Sequence, residues 1–264
     1  MSTFDRNPST RIGGVNASAR AQAGVFDAGL RAYMLQVYNY MAIGLVLTGL
    51  AAIGAFSLSV TDPGSAAAVA TVGNGMALTQ IGYALFVSPL KWVVILAPLA
   101  MVFLVMPRIG SMSVSSAQIA FWVFAALMGL SLSSIFLVYT HASIGRVFFI
   151  TAASFGALSL YGYTTSRSLS GMGSFLFMGL IGIIIASLVN LFLQSSALQF
   201  AVSVIGVLVF AGLTAYDTQQ IKEMYYAGDD SATIGRKAII GALRLYLDFI
   251  NLFTMLLQLF GNRN

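Results

Sequence analysis

Apolar positions in this chain come in long uninterrupted stretches, broken by short polar segments, and they seldom alternate. An α-helix needs about 20 apolar residues to cross the hydrocarbon layer of a bilayer. Seven stretches qualify as candidate spans: 38–60, 92–106, 117–139, 147–164, 172–193, 198–215 and 238–260. The second is short and holds Pro98, so it is expected to extend toward Lys91 and Arg108 and to kink. The connection 61–90 is rich in Gly, Ala and Ser, and its apolar second half, 76–90, reads as a re-entrant or interfacial piece. Ahead of the first span, Phe26, Leu30, Met34, Val37 and Met41 recur at helical spacing against Asp27, Arg31 and Gln36. That pattern predicts an interfacial helix running into the first span. Residues 1–30 are read as a cytoplasmic tail, disordered to about residue 23 and amphipathic beyond it, and 31–264 as the transmembrane domain. The tail has no continuous apolar core and is not a signal peptide.

Composition turns this pattern into a class. Hydrophobic residues make up 58% and charged residues 8% of the chain, where a soluble domain carries about 25% charged. The fold class is therefore an all-α integral membrane protein. The chain has no Cys, which excludes thiol and disulfide chemistry, and a single His, His141, cannot build a multi-histidine metal site. The net charge of +5 does not imply nucleic acid; basic residues in short loops mark topology. An N-terminus inside places Arg6, Arg11, Arg20, Arg31, Arg108, Arg167, Lys222, Arg236 and Lys237 on the cytoplasmic side. Lys91, Arg146 and Arg263 then lie outside, so the bias favours N-terminus in and C-terminus out. Ala125, Gly129 and Ser133 share one helical face at four-residue spacing and predict a close helix crossing.

Against this background the acids stand out. There are 8 in the chain, and Asp217 and Asp248 fall inside or at the edge of the last two apolar stretches. A carboxylate at membrane depth costs about 2.5–3.5 kcal/mol on insertion scales and calls for a partner or a use. Arg244 and Asp248 lie one turn apart on the last helix, and Arg108 closes the second span on the same side of the membrane. Two acids and up to two arginines can therefore converge. Paired carboxylates in a poorly solvated site do not ionise independently and can share a proton. Such a pair would couple charge to pH. The alternative is structural: Asp248 pairs with Arg244 alone, and Asp217 caps or snorkels at the interface. The two acids also sit at different nominal depths. Asp248 lies about 16 Å along its helix from Lys237, and Asp217 about 7.5 Å before Lys222. They meet only if the last helix begins well inside the cytosol or the sixth runs past the membrane.

Other chemistry is thin. No nucleophile–base–acid set appears, no phosphate-binding glycine loop is present, and the chain is read as a non-enzyme without a cofactor. His141 is expected in a solvated outer loop, and Asn190 in an interhelical hydrogen bond.

The segments Gly212-Leu213-Thr214-Ala215-Tyr216-Asp217-Thr218-Gln219-Gln220-Ile221-Lys222 and Leu245-Tyr246-Leu247-Asp248-Phe249-Ile250-Asn251-Leu252-Phe253 carry a resemblance to the Bax-inhibitor family (TMBIM, YccA-like). Ala126–Ile135 and Tyr161-Gly162-Tyr163-Thr164-Thr165 are similar to its bacterial members. The resemblance covers nearly everything after Leu30. It implies a seven-transmembrane-helix bundle with the last helix central, in a bacterial inner membrane. It also implies a pH-sensitive Ca²⁺ leak in which Asp217 and Asp248 form a di-aspartyl sensor and transiently meet the permeant ion. In the family an arginine at the end of the second helix engages the pair in the closed state; Arg108 is the candidate for that place, while Arg244, where some relatives carry a small residue, is a candidate local partner of Asp248. Eukaryotic relatives suppress cell death and one bacterial relative modulates a membrane-bound protease, so an interaction protein that restrains a protease through its tail and the 222–237 loop is the alternative function.

Overall fold

The computed structural model describes residues 9–72 and 75–263, with side chains from Ala28 onward. The expected tail at 1–8 lies outside the described residues, and for 9–27 only the backbone is described, as the first part of a helix. Helix α1 runs over Ser9–Ser59 and makes the interfacial segment and the first span one element. Met34, Val37 and Met41 are buried, as the helical spacing required.

After α1 the chain forms a small antiparallel sheet of two-residue strands, β1 (Val60–Thr61), β2 (Ala70–Thr71) and β3 (Ala77–Leu78), in the order β1-β3-β2. Helix α2, Gln80–Phe86, follows. The expected re-entrant piece is therefore a strand and a seven-residue helix, too short to span. Leu78 is fully buried and Thr79 caps α2 through a bond from the Gly82 amide, which fixes this knot against the end of α1.

Helix α3, Leu90–Leu104, contains Pro98 and continues into a 3₁₀ segment, Met106–Ser111, so the second span does reach Lys91 and Arg108. Helices α4 (Val114–Leu132) and α5 (Ile135–Val138) form the third span, followed by α6 (His141–Thr164) and α7 (Ser170–Leu193). Helix α8 is Ser196–Glu223 and α9 is Ser231–Phe260. Among the described residues, seven helical segments are long and apolar enough to cross a membrane.

Helix α9 is central. Of its apolar stretch 67% is buried, against 11–33% in the other six. Small residues at Ala238, Gly241 and Ala242 and large ones at Leu245, Tyr246, Phe249, Leu252, Phe253 and Leu256 are all buried, so almost every face meets protein rather than lipid. Close crossings rest on glycine. A Cβ at Gly129 would lie 2.3 Å from the Thr48 carbonyl oxygen, and one at Gly162 would lie 2.2 Å from that of Ala215. The Ala125–Gly129 face is thus the α1–α4 contact that its spacing predicted, and Thr48 Oγ1 reaches the Ala125 carbonyl at 2.9 Å.

Two local expectations change. Among the described residues Asn190 makes no bond between helices; its Oδ1 accepts from the Ser195 amide at 2.9 Å and closes the α7–α8 turn, where Gln194 is left-handed at φ 49°. His141 is exposed but opens α6, and its ring packs on Phe56 and Phe136.

Candidate functional site

Helix α9 is pinned by Tyr246. Its ring is fully buried, with Phe121 and Phe124 of α4 edge-on at 5.7 and 5.6 Å. Its hydroxyl lies 2.6 Å from Thr48 Oγ1, whose own proton goes to a carbonyl of Gly44 or Ala125. Tyr246 is therefore the donor. Two residues on, about 200° around a 3.6-residue turn, Asp248 faces the opposite side of the helix, toward α8.

Helix α8 is oriented by the residues beside Asp217. Thr218 is buried and meets Ser159 of α6 at 3.0 Å, and Ser159 meets Tyr38 of α1 at 2.7 Å. Gln219, 3% exposed, accepts from the Leu169 amide at 2.7 Å and donates to the Arg167 carbonyl at 2.9 Å, tying the α6–α7 connection to α8. With those neighbours committed to α6, Asp217 turns toward α9.

The depth conflict is resolved by the register of these two helices. Gly241 of α9 packs on Ile221 of α8, and farther along Ser203 Oγ donates to Gln258 Oε1 at 2.8 Å. In this antiparallel register the first turns of α9, up to about Ala238, run past the last residue of α8. They project roughly 12 Å beyond it. The loop between them is held by Lys237, which donates to the Met224 carbonyl at 2.9 Å and pairs with Asp229 at 2.5 Å.

Asp217 and Asp248 consequently meet, near enough for each carboxyl to act on the other. Asp248 is 5% exposed, and among the described residues its Oδ2 has no hydrogen-bond partner. Both line a cavity of about 660 Å³ between α7, α8 and α9, whose other polar side chains are Ser174, Tyr216, Arg244 and Asn251. Arg244 acts electrostatically on both carboxyls but makes no ion pair with either. Arg108 is elsewhere: it is exposed, and its guanidinium bonds the Leu104 carbonyl of its own turn. Of the two arginines proposed from sequence, the structure brings Arg244 to the pair and leaves Arg108 away from it.

Among the described residues no third His, Cys, Asp or Glu joins the pair as a possible metal ligand. Two carboxylates can offer a hard cation up to four oxygens, fewer than the six to eight that a resident Ca²⁺ takes. The pair suits a passing ion better than a bound one. Sequence reasoning missed Tyr33, which is 2% exposed with an unpartnered hydroxyl and lies within electrostatic reach of Arg244. It also missed Gln219. No spacing rule marks either residue.

Residues 30–264 match the family described as inhibitor of apoptosis-promoting Bax1. The chain is 51% identical over 240 residues to the protein RP147 of Rickettsia prowazekii, covering 90% of this chain and 92% of that one. It is 49% identical over 238 residues to the inner membrane protein YbhL of Escherichia coli K12, covering 89% and 94%. A protein of Deinococcus radiodurans is 37% identical over 235 residues, covering 89% and 92%.

Proposed function

The chain belongs to the Bax-inhibitor family of integral membrane proteins, and from that premise we propose that it is a pH-sensitive calcium leak channel gated by Asp217 and Asp248. The observation that carries this reading is the contact of the two carboxyls on α8 and α9 at the wall of an open cavity. A carboxyl–carboxyl hydrogen bond holds only while a proton is shared between the two. Without it, two like charges face each other in a poorly solvated site and repel. The pair then separates or recruits a cation, and either changes the packing of α8 on α9. Arg244 is the permanent charge that the ionised pair would meet within the same cavity.

Calcium fits as the permeant ion because carboxylate and amide oxygens are its preferred ligands. A two-carboxylate site is too poor to trap it. The relative named an inner membrane protein supports the same location here, and the distribution of basic residues supports an N-terminus in the cytoplasm. The test is Ca²⁺ flux into liposomes holding the purified chain, measured across pH for wild type and Asp217→Asn. The variant should lose the pH dependence; a wild-type profile in the variant would remove the gate from this pair.

A further inference from the structure

Helices α7, α8 and α9 share a second cavity, at the end of their seam opposite the aspartates. Asn190, Gln194, Gln199 and Gln258 surround about 450 Å³ there, and no charged side chain lines it. Ser203, 1% exposed, holds the Gln258 amide from behind. Between the two cavities lies an apolar cluster separate from the main core, formed by Ile183, Val202 and Val209 with Met255 against it. The three parts are contiguous. Leu180 and Leu213 border both the cluster and the aspartate cavity, and Val202 borders both the cluster and the amide cavity. Along α8, Asp217 and Gln199 are about 27 Å apart at 1.5 Å per residue, close to the ~30 Å thickness of a hydrocarbon layer.

We propose that this seam is the ion's route, with the amide cavity as a vestibule for divalent cations and Ile183, Val202 and Val209 as the constriction. The proposal rests on the channel reading and specifies its path. Neutral amide oxygens can replace part of a cation's water shell without holding it, which is what entry and exit from a conducting path require. A closed apolar stretch excludes water and so blocks a hydrated ion. Glycine sets how tightly it closes: a Cβ at Gly206 would lie 2.8 Å from Met255 Sδ, and one at Gly179 would lie 2.8 Å from Val209 Cγ2. A change in the α8–α9 contact at the aspartates therefore acts on the helices that carry Val202, Val209 and Met255.

The chain contains no cysteine, so single cysteines report cleanly. Val209→Cys and Gln199→Cys are made in the full-length chain, reconstituted, and treated with a cationic methanethiosulfonate reagent at a pH where wild type conducts. Ca²⁺ flux should fall several-fold in both, and stay unchanged in wild type and in Ile185→Cys, whose parent side chain is 56% exposed on α7. Val209→Ser should raise flux several-fold with the pH profile retained. Should Val209→Cys not yield a monodisperse protein, Gln199→Cys reads the same route from its polar end. Insensitive variants beside a conducting wild type would place the path elsewhere and leave the channel reading standing. A wild type without flux at any pH would overturn that reading and this route together.

Discussion

Asp248 owes its position to Tyr246, whose hydroxyl and ring commit one face of α9 to α1 and α4 and leave the opposite face for α8. The apolar setting of both aspartates was legible from the sequence because so few acids exist to be placed. Their meeting was not, since it depends on helix register. Nor could spacing choose between the arginines, because Arg108 closes the second span and Arg244 lies one turn from Asp248, both toward the same side of the membrane. The geometry puts Arg244 on the wall of the aspartate cavity and Arg108 outside it. Replacing Arg244 by Ala should therefore move the midpoint of the flux–pH curve, while Arg108→Ala leaves it in place; both are read in one liposome assay, and the reverse outcome would return the role to Arg108. A second residue-scale test lies outside the membrane spans. Asp230 caps α9 by accepting from the Thr233 amide at 3.2 Å. Hydrogen bonds from Thr233 hold its carboxyl below the ordinary value of 3.8. The cap's contribution is thus complete above that value and is lost as pH falls through the lowered folded one. Amide exchange in the first turn of α9 should be faster in Asp230→Ala than in wild type at neutral pH, and the two should converge in strong acid. A difference that persisted there would mean the charge is irrelevant to the cap.

At the scale of elements, all seven spans were visible as apolar runs, and their ends were not. The sixth run stops at residue 215 by composition, whereas α8 continues to Glu223; the last starts at 238, whereas α9 begins at Ser231. Both extensions are polar helix held by tertiary contacts, Gln219 on the α6–α7 connection and Lys237 on the α8–α9 loop. A hydropathy argument cannot see such contacts, and these turns are what bring the aspartates level. The sheet and α2 were hidden for a related reason: two-residue strands are too short to show a period of two. Helix contacts themselves can be tested on α6. Gly162→Ala places a methyl against the backbone oxygen of Ala215, which cannot yield, so α6 and α8 must part. Overpacking of this kind costs about 1–3 kcal/mol, and the thermal midpoint in detergent should drop. Gly156→Ala on the same helix meets nothing within 4 Å and should hold or raise it. Equal midpoints would contradict the close α6–α8 crossing.

For the molecule as a whole, a chain whose last helix is buried against α1, α4, α6 and α8 is one bundle, and its residues 30–264 match a single family. The residues after α9 fold back on the α5–α6 junction. The Thr140 amide donates to the Asn262 carbonyl at 3.0 Å, and the Asn262 amide to Ser143 Oγ at 2.8 Å. Seven crossings put that junction on the side opposite the start of the first span. With the basic residues as counted, a reporter fused at Asn264 should read as external and one at the N-terminus as cytoplasmic; matching signals from both ends would require an even number of crossings. We propose that the contact of Asp217 with Asp248 couples proton occupancy to Ca²⁺ passage. Ca²⁺ flux in liposomes across pH, with wild type beside Asp217→Asn and Asp248→Asn, tests it most directly. Wild type should show a graded response that flattens in each variant; a wild-type profile retained in both variants would take the gate away from these aspartates.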